Sequence, residues 1–244
     1  NSRLIKKYET TLARLIEKYE FFTKEEYKNL VNFSTNKEIP IHNWYDYKHG
    51  YARELIASIL NDVKPDKNLY VLDPFCGVGT TNLVAKELGF NSIGTDINPM
   101  AYFASKVKLD DYSGNDINEI KAILSKFDKS KKWEFNEKPK VVESSFIQDK
   151  LESLQRIKGY IDSIKHVKAK NLLLIAYLSI IEDASIRVKD GNGLKLKKNK
   201  KQIDDIYEYF IFRCKRMLND IENTSYLNET KHLFYNSSIR IELL

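Results

Sequence analysis

The stretch that most constrains this chain is Tyr70-Val71-Leu72-Asp73-Pro74-Phe75-Cys76-Gly77-Val78-Gly79-Thr80-Thr81. A short apolar run ends in an acid, two glycines make a tight turn, and two threonines open a helical pattern. This layout predicts a strand feeding a loop that opens a helix. Glycine lets backbone pass close to a ligand where a Cβ would clash, and the start of the helix offers free N–H groups. Roughly twenty residues on, Ser92-Ile93-Gly94 predicts a second strand ending in Thr95-Asp96-Ile97-Asn98, and an acid there is where doubly wound folds hold a nucleoside ribose. No Gly-Lys-Ser/Thr follows the loop, and the third glycine of G-x-G-x-x-G is missing. A pyrophosphate is therefore disfavoured, and a nucleoside carrying a small zwitterion fits better.

The rest of the chain reads mostly as helix. Leu4, Ile5, Tyr8, Leu12, Leu15, Ile16 and Tyr19 recur at helical spacing over 2–20, and Thr23 with Glu26 forms a capping box for a short second helix. Residues 32–43 read as loop, 42–51 are dense in aromatics, and a helix is expected over 52–60. Pro99 opens a further helix, a capping signal at Asp116–Glu119 starts another, and helical patterns cover 151–164, 171–184 and 203–221. The alternation of 237–243 predicts a terminal strand. The 128–140 segment is polar and reads as loop. These segments divide into an N-terminal helical segment (1–40), an α/β core (41–110), a helical elaboration (111–230) and a returning strand (231–244).

The net charge of +6 and pI near 9.0 weakly favour a polyanionic partner. Cys76 and Cys214 are far apart, without histidine clusters, which argues against a disulfide framework or a zinc site and fits a reducing cytoplasm. The most apolar stretch, 172–181, is about half of what a membrane span needs. Residues 187–201 hold seven Lys or Arg against one acid. That run reads either as a solvated loop between helices or as a phosphate-contacting loop on double-stranded DNA through Lys195, Lys197, Lys198, Lys200 and Lys201.

Asp73-Pro74-Phe75-Cys76-Gly77-Val78-Gly79-Thr80-Thr81 resembles the S-adenosylmethionine motif D-P-F-x-G-x-G-T-T of DNA amino-methyltransferases, and Thr95–Pro99 resembles their second motif. His42–Tyr51 is similar to the aromatic segment upstream of it. The resemblance is strong over 42–106, looser over 145–244, and attaches nothing specific to 1–40. It implies an α/β, Rossmann-like methyltransferase fold, doubly wound and incomplete in this chain, with the first strand, 69–73, central in the complete fold and left with a bare edge here that needs covering. It implies S-adenosyl-L-methionine as cofactor. Gly77 and Gly79 would lie against the methionine moiety, with Asp73, Pro74, Phe75, Thr80 and Thr81 shaping the loop. Asp96 would take the ribose, with Ile97 on the adenine and Asn98 beside it. Tyr45, Tyr47 and Lys48 would lie near the methionine end, where Trp44 is equally readable as packing.

The same enzymes carry an Asp/Asn/Ser-Pro-Pro-aromatic motif that holds a flipped base. The five prolines of this chain are nowhere adjacent, so catalytic residues of that type are absent from it, and no Pro-Cys nucleophile exists. The expectation is the cofactor-binding part of a site-specific enzyme methylating N6 of adenine or N4 of cytosine, with the catalytic half on a second polypeptide or a missing segment. RNA guanine-N2 methyltransferases share D-P-F-C-G-x-G, and a non-catalytic cofactor or DNA-binding subunit is the third reading.

Overall fold

The computed structural model describes residues 9–10, 13–14, 17–18, 24–47, 50–129, 142, 144–190, 193–197, 199–224 and 230–237. Residues 9–10, 13–14 and 17–18 are helical and exposed; the apolar positions of the expected first helix lie outside the described residues, as does Thr23. The short helix after it, Glu25–Leu30, is a 3-10 helix with Lys24 at its N-cap and no side-chain cap. The expected loop of 32–43 contains two further 3-10 turns, Ser34–Glu38 and His42–Trp44. The polar 130–141 run also lies outside the described residues.

The elements then run α1 (Arg53–Val63), β1 (Tyr70–Asp73), α2 (Thr80–Glu87), β2 (Asn91–Thr95), α3 (Pro99–Leu109) and α4 (Gly114–Ser125). They continue as α5 (Gln148–Ser163), α6 (Val167–Ala184), β3 (Arg187–Asp190), β4 (Gly193–Leu196), α7 (Ile206–Asn223) and β5 (His232–Tyr235). Strands β1, β2 and β5 form a parallel sheet in that order, with Asp73 opposite Gly94 and Thr95 opposite Tyr235. Gly94 is required by this packing: a Cβ there would come within 2.8 Å of the Phe234 ring and 2.9 Å of Asn82 Oδ1.

Among the described residues β1 pairs on one side only, with β2. The returning strand is His232–Tyr235, whereas 238–243 lies outside the described residues. That strand was hidden because one of its inward positions is a histidine, whose ring nitrogens are matched by Ser92 Oγ at 2.7 Å and Thr230 Oγ1 at 2.8 Å.

The helices of the elaboration are not a separate body. One apolar cluster takes in Val78, Leu83, Ala104 and Val107 of the α/β part together with Ile157, Leu172, Ile175, Ile180 and Phe210 of α5, α6 and α7. Burying each such side chain contributes about 1.5–3 kcal/mol. α4 begins earlier than its predicted cap: Ser113 caps it, and Asp116 at its third position bonds back to the Ser113 N–H.

The aromatic strap before α1 is pinned to α7. Trp44 is 1% exposed, and its indole N–H donates to Asp220 Oδ2 at 2.9 Å. The same oxygen accepts the Ile41 N–H at 3.3 Å, and Arg213 Nη2 donates to the Trp44 carbonyl at 3.2 Å. Trp44 is therefore a core residue. From the other side the buried Lys108 ammonium donates to the His42 carbonyl at 3.1 Å; burial pushes its pKa down to about 7, against the opposing pull of Asp46.

Candidate cofactor site

The glycine loop folds as its composition dictates. Gly77 and Gly79 sit at φ +51° and +78°, a region L-residues adopt only at a cost. A Cβ on Gly77 would meet the Tyr47 ring at 3.0 Å, and one on Gly79 would meet Ser105 at 3.0 Å. The loop is held from three directions. Cys76 N–H donates to the Thr95 carbonyl at 3.0 Å, and Thr95 Oγ1 donates to the Pro74 carbonyl at 2.8 Å. Ser105 Oγ donates to the Gly77 carbonyl at 2.7 Å. Asp73 Oδ1 accepts the Phe75 N–H at 3.1 Å, and its Oδ2 accepts the Tyr51 hydroxyl at 2.8 Å.

Asp96, at the end of β2, closes the arrangement. Its Oδ2 accepts the Gly77 N–H and its Oδ1 the Asn98 N–H, both at 2.8 Å. Asn98 in turn caps α3, its side-chain oxygen accepting from Met100 and Ala101. Gly79 begins α2 with no side-chain cap, which suits an anionic group such as a carboxylate.

These pieces line a cleft of about 240 Å³ bounded by Tyr47, Tyr51, Gly77, Thr80 and Asp96. Tyr51, not singled out by sequence, joins the two ends of the motif: its hydroxyl meets both Asp73 and Thr81 Oγ1. Its place at the end of the aromatic run, two residues before α1, was the available signal. Burial, then the Asp73 charge, pushes its phenol pKa up, and burial followed by Asp96 does the same for Tyr47. Burial, then Asp73 and Asp96, pushes the Cys76 thiol up to about 12; it is an inert filler beneath the loop, not a nucleophile.

Several expected residues fall elsewhere. Tyr45 does not line this cleft; it lines two other cavities, against α6. Lys48 and Lys198 lie outside the described residues. The expected basic loop is a β-hairpin, Arg187 opposite Leu196 and Asp190 opposite Gly193. Lys200 is corrected as a phosphate contact: its ammonium donates to the carbonyls of Glu182, Ser185 (2.8 Å) and Arg187 (3.1 Å), capping the end of α6. Lys195 and Lys197 are exposed on or beside β4, and Lys201 is exposed after it.

The cleft suits a nucleoside bearing a zwitterion. The glycine cradle would be filled by any Cβ, the acid stands at the end of β2, and Phe75 and Ile97 flank the loop at 79% and 77% exposure. Apolar side chains so bare beside a polar cleft are suited to covering a flat ring.

Comparison with known proteins agrees with this geometry. Residues 7–107 match the N6/N4 family model described as DNA methylase, so the match begins well before residue 42, where the motif resemblance started. The chain is 30% identical over 193 residues to the Type II methyltransferase M.BsoBI of Geobacillus stearothermophilus, covering 78% of this chain and 37% of that protein. It is 37% identical over 86 residues to the Type II methyltransferase M.MjaII of Methanocaldococcus jannaschii, covering 34% and 15%. The chain thus spans well under half the length of these relatives. No solved structure matches. The chain is thus similar to DNA amino-methyltransferases, a family whose members use S-adenosyl-L-methionine.

Among the described residues no helix is long and apolar enough to cross a membrane, and no cluster of three or more His, Cys, Asp or Glu is placed to hold a metal.

Proposed function

We propose that this chain is the cofactor-binding part of a cytoplasmic, site-specific methyltransferase acting on an exocyclic amine of double-stranded DNA, N6 of adenine or N4 of cytosine. Its catalytic Pro-Pro-aromatic motif would come from another polypeptide segment. The observation that carries this reading is the outer edge of β1. Parallel strands are normally covered on both faces and paired on both sides. Here Leu69, Tyr70 and Leu72 are 60%, 42% and 50% exposed, beside the cofactor loop and the bare Phe75. A further strand laid along β1 would cover these groups and bring its own C-terminal end next to Gly77.

When bound, S-adenosylmethionine supplies an activated methyl group for direct in-line transfer to an amine nitrogen. This chain's residues position that reaction. Gly77 and Gly79 admit the methionine moiety close to the backbone. The uncapped start of α2 faces its carboxylate, beside Thr80. Asp96 offers its remaining lone pairs to the ribose hydroxyls, with Ile97 and Phe75 beside the adenine. Thr81 and Asp73 act through Tyr51 to hold the loop's shape, and Asn98 sets the direction of α3. Lys195, Lys197 and Lys201 contact DNA phosphates, which positions the duplex without reading sequence.

The test has two arms. Calorimetric titration with S-adenosylmethionine should show binding that Asp96→Ala weakens at least tenfold; undiminished affinity would remove the site. Labelled methyl transfer to DNA should be undetectable with this chain alone and appear when the downstream part of a full-length relative is added. Robust turnover by the chain alone would sink the split reading.

A further inference from the structure

The strap turns sharply where its sequence resists turning. Ile41 sits at φ 64° and ψ −45°, and the His42 N–H donates to the Pro40 carbonyl across it at 2.7 Å. That is the rare, strained form of γ-turn, on a β-branched residue for which positive φ is a true outlier. Such a backbone persists only where its surroundings over-determine it. One carboxylate oxygen holds it here. Asp220 Oδ2 accepts the Ile41 N–H at 3.3 Å and the Trp44 indole N–H at 2.9 Å, so its two bonds bracket the 3-10 turn His42–Trp44. Ile41, Trp44 and Asp220 are all buried. Lys108 and Arg213 meet backbone carbonyls of the same turn, whereas Asp220 takes its donors.

Beyond that pin the chain has little slack. Tyr45 is extended, at φ −142° and ψ 121°, and Asp46 is tied to Lys37 at 3.0 Å. The three residues after Trp44 span at most about 11 Å and end on Tyr47. The Tyr47 ring lies over the glycine cradle, 3.0 Å from where a Cβ on Gly77 would stand, and lines the cofactor cleft. The other end of the strap is also fixed: the buried Asn36 donates to the Tyr51 carbonyl at 2.9 Å and accepts the Arg53 N–H at 2.7 Å.

We infer that Asp220 is a positioning residue of the cofactor site: from α7, through Trp44 and the turn at Ile41, it holds the strap so that the Tyr47 ring stands against Gly77 as one wall of the cleft.

Asp220 does not itself line the cleft, so its effect on the cofactor runs through the strap. Without it, two buried donors lose their acceptor and the strained turn loses its restraint, so the backbone relaxes and carries Tyr47 off the cradle. The inference rests on the proposed S-adenosylmethionine site and adds a residue that tunes it from outside the glycine-loop motifs.

Calorimetric titration with S-adenosylmethionine tests it on wild type, Asp220→Ala, Tyr47→Ala and the double variant. Asp220→Ala should weaken binding about tenfold. Asp220→Asn keeps an oxygen for both donors and should restore most of the lost affinity. In the Tyr47→Ala background, itself weakened, the Asp220→Ala loss should vanish, because the ring through which it acts is gone. Ile157→Val, in the apolar core of α5, is the stability control: it should lower the melting temperature without changing affinity. Should Asp220→Ala fail to fold, Trp44→Phe cuts one of the two bonds and should give a smaller loss with the same dependence on Tyr47. Wild-type affinity in whichever of these two variants folds, or equal losses with and without the Tyr47 ring, would overturn the inference and leave the cofactor site standing. If wild type does not bind S-adenosylmethionine, the proposed function falls and this inference with it.

Discussion

Replacing Gly77 by alanine separates two effects at one atom. The first is backbone. At φ +51° an alanine must adopt the left-handed region, which disfavours an L-residue by about 1–2 kcal/mol. The second is steric. The new Cβ stands 3.0 Å from Tyr47 Cε1, so the ring must move away from the cleft it helps to form. The backbone term alone should lower the melting temperature by roughly 2–8 °C for a chain of this size. The displaced ring and the filled cradle should weaken S-adenosylmethionine binding at least tenfold, about 1.4 kcal/mol. Tyr47→Ala gives the control. In the Gly77→Ala/Tyr47→Ala double variant the contact disappears but the φ constraint remains, so the two stability losses should fail to add. Thermal melting and calorimetric titration of the four proteins measure both quantities. Wild-type melting and affinity in Gly77→Ala would refute the cradle, and strict additivity would refute the contact with Tyr47.

Further outcomes follow from other elements. Burial, reinforced by the Lys86 charge and opposed by Asp111, pulls the His232 pKa down to about 4. The folded state thus holds the ring neutral where the unfolded chain is protonated. Stability is then full above pH 6.5 and lost as pH falls towards 4, by up to about 3 kcal/mol. Melting curves across that window should flatten in His232→Asn; an unchanged slope would mean that the ring is not the group responsible. The buried His42, its pKa also lowered by burial against Glu87, acts in the same direction and should supply the residual slope. Trp44→Phe keeps the apolar bulk but removes a donor from the buried Asp220, so denaturant unfolding should show a loss of about 1–3 kcal/mol; full stability would show the bond to be immaterial. Converting Lys195 and Lys197 to glutamine should weaken DNA binding of every sequence alike and reduce the slope of log K against log salt by about 1.8. An unaltered slope would return the hairpin to the solvated surface.

What the sequence made legible was local. The strand–loop–helix unit, the acid at Asp96 and the helix opened by Pro99 were readable because glycine, proline and caps act on their own few residues. Long-range facts were not. Trp44 reads equally as an aromatic beside a ligand or as packing, and only its bond to Asp220, 176 residues away, decides for packing. Lys200 looked like part of a basic surface, but its ammonium caps the end of α6, and nothing in a lysine-rich run marks the lysine that turns inward. β5 is four residues long and starts on a histidine, so only its pairing with β2 reveals it.

The bonds of Asp96 and Asn98 have a metric consequence. Asp96 accepts the Asn98 N–H, and Asn98 accepts the Met100 N–H, so residues 96–100 form a short rigid bracket at the start of α3. One end stands in the cofactor cleft, and the other, Met100, lines a separate cavity together with Tyr45 and Phe146. Four residues of chain span at most about 14 Å even when fully extended. The bracket therefore acts as a tether: it caps how far apart the backbone at these two walls can move, whatever the helices around them do.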